Sequence, residues 1–220
     1  YKVKLDDVQI NKHDWLRFLA MYIADGNVTY FKKENKYVIS ITDSVDMKDK
    51  NENLFRKINL NPYSYTPKNN ENVVVTKGNS LVLGKFLKKL GISNEKYIPL
   101  NITDFSKEDA LIFLNKYVEH DGYDNGNGIK RIYTSSKILS NQILELCHIA
   151  GFTPNLKIID NVGKKTIING VEANINHPSH MITFSENKIY NQETNVVINK
   201  HRTDEWYEGY VYCVSVPNET

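Results

Sequence analysis

Cysteine is scarce: only Cys147 and Cys213 occur among 220 residues, and they form no CxxC pair. That excludes a disulfide framework and a cysteine-built zinc site. A reducing cytoplasm, or the nucleus of a eukaryotic host, is the simplest expected setting. No apolar run approaches the roughly 20 residues that cross a bilayer. The opening residues, YKVKLDDVQI, lack the apolar core of a signal peptide, so secretion is not expected. There is no initiator Met, and the chain ends on Pro217-Asn218-Glu219-Thr220, which reads as an excised or truncated segment of a longer polypeptide. A surplus of one charge is also missing: 28 basic residues stand against 26 acidic ones, a formal net charge of +2. Total charge therefore makes no case for a nucleic-acid partner, and only charge gathered on one face would serve. What remains is ordinary for a soluble globular chain, with 40% hydrophobic and 25% charged residues.

Against this plain background two stretches look alike. NKHDWLRFLAMYIADGNV (11–28) places Leu16, Leu19, Ala20, Ile23 and Ala24 at helical spacing, with Asn11 as the N-cap and Gly26 as the stop. SKEDALIFLNKYVEHDGY (106–123) opens on a Ser106/Asp109 capping box, carries Ala110, Leu114, Tyr117 and Val118 as its apolar stripe, and stops at Gly122. Strand-like Tyr37–Thr42, a helix near Met47–Asn59, extended segments near Tyr63–Thr66 and Val73–Lys77 and a helix over Ser80–Leu90 follow the first. Strand-like Ile129–Thr134, a helix over Ser136–Ala150 and strands near Asn155–Ile159 and Lys165–Asn169 follow the second. The pattern is one αββα-type unit used twice, with a boundary near Tyr97–Asp104. From residue 171 onward the helix pattern is lost, and Met181–Phe184, Thr194–Ile198 and Tyr210–Val216 read as short strands.

Both helices end in Asp-Gly, with Asp25 and Asp121 96 residues apart. A helix C-terminus carries partial negative charge, so an Asp there is disfavoured by up to about 1 kcal/mol. A bound cation reverses the sign of that interaction. Two such ends side by side would offer carboxylate and carbonyl oxygens, which suit Mg²⁺. The segments FLAMYIADG (18–26) and LNKYVEHDG (114–122) resemble the paired motif of LAGLIDADG (DOD-type) homing endonucleases. The resemblance, with the element order around it, covers roughly residues 10–190. It implies a pair of motif helices at a pseudo-two-fold axis and two saddle-shaped antiparallel sheets gripping the duplex. It also implies divalent metals, Mg²⁺ or Mn²⁺, on Asp25 and Asp121, with the carbonyls of Ala24 and His120 as helpers. The second copy departs from the family where Lys116 and His120, bulky and polar, replace the small residues that Ala20 and Ala24 supply. The family also places a basic residue near the scissile phosphate. Lys77 matches that place, beside the alternative of a solvated strand-end lysine, and Lys157 and Lys188 are weaker candidates in the second half. A further segment, YEGYVYCVSVPN (207–218), resembles the C-terminal strand of inteins in the Hint splicing fold, with Cys213 at a position that in some inteins takes part in splicing.

Other signals are weaker. Basic clusters at Lys32-Lys33, Lys130-Arg131 and Lys164-Lys165 are candidate phosphate contacts, as are Lys88-Lys89 and Lys200-His201-Arg202; each also reads as ordinary surface. Tyr37, Tyr63, Tyr65 and Tyr133 could read base edges or DNA shape, though packing is the safer reading for any one of them. His177 and His180 flank a proline and make no zinc pair. DGYDNGNG (121–128) lacks the twelfth-position Glu of an EF-hand loop and reads as a hairpin turn. Gly78-Asn79-Ser80 is not a nucleophile elbow. Cys147 sits on a helix face and is expected in the core.

The expected fold is α/β (α+β): a first LAGLIDADG half over 1–100, a second over 101–190, and a partial Hint segment over 191–220. The expected activity is that of an intein-encoded, site-specific homing endonuclease. It would hydrolyse double-stranded DNA as a monomer, with host-protein exteins flanking it in the parent. Two alternatives stay open: a catalytically decayed DNA-binding module, and a purely structural insert in a self-splicing protein.

Overall fold

The two long helices begin at the caps that the sequence names. In the computed structural model, which describes residues 2–5, 8–68, 70–168, 171–185, 206 and 208–210, Asn11 Oδ1 accepts from the backbone N–H groups of His13 and Asp14. Ser106 Oγ accepts from Asp109 N at 3.1 Å while Asp109 Oδ2 accepts from Ser106 N at 3.0 Å, the reciprocal pairing of a capping box. The same Asp109 Oδ2 accepts from Lys12 Nζ at 2.7 Å, which ties the starts of the two helices together.

In chain order, β1 (Lys2–Leu5) and β2 (Val8–Asn11) form a small hairpin before α1 (Lys12–Asp25). Then come β3 (Gly26–Phe31), β4 (Lys36–Ser44), α2 (Lys48–Lys57), β5 (Tyr63–Tyr65), β6 (Val73–Asn79) and α3 (Leu81–Lys88). The second series is α4 (Lys107–Asp121), β7 (Gly122–Asp124), β8 (Ile129–Thr134), α5 (Lys137–Ala150), β9 (Asn155–Ile159), β10 (Lys165–Ile168), β11 (Val171–Asn174) and β12 (Ser179–Ser185). Two antiparallel four-stranded sheets result, ordered β3-β4-β6-β5 and β7-β8-β12-β9. Each begins with the strand that leaves a motif helix and has the last strand of its series third in order. The fold is thus mixed α/β with antiparallel sheets.

Helices α1 and α4 pack against each other at the centre. Phe18, Leu19, Met21, Phe113, Leu114 and Tyr117 are all almost wholly buried there. Ile39 and Ile41 of the first sheet and Ile132, Ile182 and Phe184 of the second close onto them. Alternation along the strands explains the division of faces: in β6 and β12 every second residue is buried. Lys116, where a small residue was expected, does not hold the helices apart. Its ammonium reaches Glu119, one turn on along α4, at 2.8 Å.

The glycines after the two aspartates close the helices where the sequence places their ends. Each stops its helix, but not by adopting a left-handed conformation: Gly26 has φ −78°, ψ 147° and Gly122 has φ −121°, ψ 178°, both extended. They are glycines for want of room. A Cβ at Gly26 would collide with the ring and carbonyl of Tyr22, and one at Gly122 would lie 2.5 Å from Val118 Cα. The chain can therefore turn from helix directly into strand at the aspartate.

Two further differences concern strands. β3 and β7 start at these glycines without any strand-like run to announce them. Lys165–Ile168, read as a strand of the repeat, pairs instead with β11 in a separate ribbon. The strand that fills the sheet is β12, paired with both β8 and β9.

The chain divides into two units, Tyr1–Lys188 and Ile189–Thr220. In the second, Trp206 and Tyr210 are exposed. Cys213, the expected strand Thr194–Ile198, all of Tyr210–Val216 but Tyr210, the Lys200-His201-Arg202 cluster and Lys188 of the first unit lie outside the described residues.

Candidate metal and nucleic-acid site

Asp25 is the last residue of α1 and Asp121 the last of α4. Packing the two helices brings the carboxylates close enough to act on each other. Asp121 is exposed on its outer side, yet protein crowds its carboxyl and the Asp25 charge faces it. Burial first, and then Asp25, push its pKa up to about 6. Tyr117 lies beneath both; burial, then the two carboxylates, keep its hydroxyl protonated.

The charge that answers these carboxylates comes from a residue that sequence reasoning missed. Lys96, in the link between the two series, sends its Nζ to the end of α1. It lies 2.9 Å from Ile23 O, 3.1 Å from Gly26 O, 3.3 Å from Tyr22 O and 3.5 Å from Ala24 O. Ile23 O and Ala24 O are among the carbonyls that a helix C-terminus leaves over, whereas Tyr22 O also accepts from Gly26 N and Gly26 O belongs to β3. Burial lowers the pKa of Lys96, and Asp25 and Asp121 pull against that shift. Lys77, which the resemblance places near a scissile phosphate, has its ammonium 4.8 Å above the Tyr65 ring on the open face of the first sheet.

His120, the residue before Asp121, turns toward the other aspartate. Its side chain is fully buried. Nδ1 lies 3.0 Å from Asp43 Oδ2 and 3.5 Å from Asp25 Oδ2, but neither oxygen sits along an N–H direction, and Nε2 has no hydrogen-bond partner. The contact is thus electrostatic. Burial opposes a charged imidazole, and the two carboxylates outweigh it, so the pKa is raised. Asp43 is held by Asn51 Nδ2 at 3.0 Å and Ser44 N at 2.7 Å. Burial opposes its ionisation, and these donors with His120 overcome that and lower its pKa.

A divalent cation fits this donor set. Among the described residues no group of three His, Cys, Asp or Glu forms a closed cage. Mg²⁺ does not need one, since it is commonly held by one or two carboxylates with water and phosphate completing its shell. That helix-end carbonyls already gather around the Lys96 ammonium shows that the site attracts positive charge.

The strands that leave the aspartates carry the second part of the site. On the open face of the first sheet, register aligns Asn27, Ser40, Lys77 and Tyr63 in one row and Thr42, Val75 and Tyr65 in the next. On the second, Tyr123, Arg131, Thr183 and Asn155 share a row, beside Tyr133, Met181 and Lys157. The strand residues on these faces include no Asp or Glu, although the chain has 26. Arg131 stands over the Tyr123 ring. Its neighbour Lys130 points to the opposite face, where its Nζ donates to Asn115 of α4 at 2.8 Å. Lys32 and Lys33 sit exposed in the turn between β3 and β4. Lys164 and Lys165 sit on the β10–β11 ribbon, where Lys165 pairs with Glu172 at 2.9 Å.

The raised pKa of Asp121 has a measurable result. An unfolded aspartate titrates near 3.8 and the folded one near 6, so the folded state holds this proton more tightly. The stability it lends is full below about pH 4 and gone above about pH 6. Without added metal, the melting temperature of the native protein should fall relative to that of Asp121→Asn as pH rises through this window. Parallel curves for the two proteins would show that Asp121 is not so perturbed.

No protein-family model matches the sequence. Along 99% of its length the chain is similar, at 24% identity, to the C-terminal section of the DNA-directed RNA polymerase β subunit of Stigeoclonium helveticum, and it spans 23% of that protein. Among solved structures it is similar to mesophilic variants of the homing endonuclease I-DmoI, with TM-score 0.55 and 13% identity over 80% of this chain and 89% of that one. It is also similar to I-DmoI in complex with DNA and Ca, with TM-score 0.56 and 14% identity over 80% of this chain and 84% of that one. At such identities the likeness speaks for architecture alone: this chain has the fold of the homing endonuclease I-DmoI.

Proposed function

We propose that the chain is a site-specific DNA endonuclease domain that hydrolyses double-stranded DNA with Mg²⁺ or Mn²⁺. The observation that carries this reading is the joining of two acid-free sheet faces at a pair of helix-end carboxylates. Polyphosphate can lie on the faces, and divalent cations can be held where they meet. Asp25 and Asp121 would hold the metal, which when bound activates water and offsets charge on the phosphate. Lys96 places a fixed positive charge beside them, Lys77, Arg131 and Lys157 meet the duplex on the faces, and Lys32, Lys33, Lys164 and Lys165 meet it at the ends. Sheets that differ in every row suit a long asymmetric target read by one monomer.

The finer context belongs to the same proposal. Similarity along nearly the whole chain to part of an RNA polymerase β subunit supports a life as an insert in such a host. We infer an intein, with Cys213 in the returning Hint segment and exteins on either side, acting in the compartment where the host gene lies. The test is a plasmid carrying the polymerase coding sequence joined across the insertion point, incubated with the full chain and Mg²⁺, Mn²⁺ or EDTA. A single linear product that EDTA abolishes is the expected result. Retarded migration of the same duplex without cutting in either metal would favour a decayed DNA-binding insert, the second reading, for which the buried His120 against Asp25 is the motivating observation.

A further inference from the structure

The two carboxylates sit in unlike surroundings, and one substitution between the motif copies accounts for it. Ile41 pairs with Gly26 and Ile132 pairs with Gly122, so Asp43 and Thr134 occupy matching places, two residues along their strands. Ala24 and His120 match likewise, each preceding its aspartate. On the Asp121 side, small Ala24 faces Thr134 across an open cavity of about 300 Å³, lined also by Ser93, Lys96 and Ser135. That is room for several waters, beside the hydroxyls of Ser93, Thr134 and Ser135. On the Asp25 side the matching space holds the wholly buried imidazole of His120, wedged between Asp25 and Asp43. A phosphate approaching Asp121 meets donors and space. One approaching Asp25 meets a ring and a second carboxylate.

Resting on the endonuclease reading, we propose that the two DNA strands are cut in a fixed order, the strand at Asp121 first. In each cut the oxygen of a water adds to phosphorus, one P–O ester bond breaks, and the proton that water loses is balanced by one taken up at the leaving sugar oxygen. The open cavity beside Asp121 has space for both the phosphate and that water before any side chain moves, whereas the matching place beside Asp25 is filled by His120. The Asp25 side must first displace His120, so a nicked duplex accumulates. His120 acts here as a positioning residue: it governs access to Asp25 and does not touch the reacting atoms.

The experiment is single-turnover cleavage of the joined polymerase duplex, with a different dye on each strand, by native protein, His120→Ala and Ala24→His. The native protein should cut one strand at least tenfold faster. His120→Ala should speed the slow strand and leave the fast one alone. Ala24→His, which fills the cavity, should slow the fast strand only. A purely structural defect would slow both strands together and lower the melting temperature. Equal strand rates in the native protein, or a slow strand indifferent to His120→Ala, would overturn the proposal while the endonuclease reading stood. No cutting of either strand would overturn both.

Discussion

Asp121→Asn should abolish the proposed cutting and raise the melting temperature near neutral pH. On the endonuclease reading Asp121 would hold metal, and losing such a carboxylate removes several kcal/mol of transition-state stabilisation, so cleavage should fall by about 10³-fold or more. Stability moves the other way because Asp121 lies at a helix C-terminus, where negative charge is disfavoured by up to about 1 kcal/mol, and faces a second carboxylate. Asparagine keeps the shape and drops the charge. Asp25→Asn should be equally inactive but should gain less stability, because Asp25 also faces the His120 imidazole. Differential scanning fluorimetry beside strand cleavage separates the two quantities. Cutting that survived in either variant would remove that carboxylate from the metal site. Inactivity accompanied by a lower melting temperature would mean the residue serves the fold instead. This opposed pair of effects is what an aspartate kept for function at an unfavourable position should show.

Much of the scaffold was legible because local chemistry settled it. Asn11, Ser80, Ser106 and Ser136 each cap the helix that the sequence places after them. The matched Asp-Gly endings pointed to the two carboxylates because an acid at a helix C-terminus goes against electrostatics twice over. What stayed hidden depended on contacts distant in sequence. β3 and β7 could not be read because each starts on the glycine that closes a helix. β12 was set apart as tail because the β10–β11 ribbon separates it from β9. The glycines were legible as helix stops, but the crowding by Tyr22 and Val118 that requires them was not. Strand alternation turns Lys77 to the open sheet face, while Lys96, outside any regular element, is the lysine that reaches the carbonyls at the end of α1. Adjacent Lys130 and Arg131 read as one basic patch, and the two-residue period of a strand divides them between faces.

Lys96 offered the least signal, since it lies in a link without periodicity, and the largest stability effect is expected there. Lys96→Met should destabilise the protein by about 3 kcal/mol, the lower end of what removing one partner from a buried charged group costs, because water reaches part of the site. For a chain of this size that corresponds to roughly 6–12 °C in melting temperature. Methionine matches the length and apolar stem of lysine, so lost packing contributes little. The loss comes from taking the ammonium away from the carbonyls of Ile23, Ala24 and Gly26 (Tyr22 O keeps the Gly26 N–H) and from leaving Asp25 and Asp121 to repel each other. Cutting should be lost with it, as the end of α1 is what aims Asp25. Lys96→Arg provides the discriminating comparison: it keeps the charge, but its planar fork spreads its donors outward, whereas the compact ammonium turns its three hydrogens onto carbonyls gathered about one point. It should recover part of the stability and little of the activity. If Lys96→Arg cut DNA as well as the native protein, charge alone would suffice. If Lys96→Met melted like the native protein, the carbonyl cradle would contribute nothing to the fold, and the helix end would have to be held by the Gly26 turn into β3 and by packing against α4.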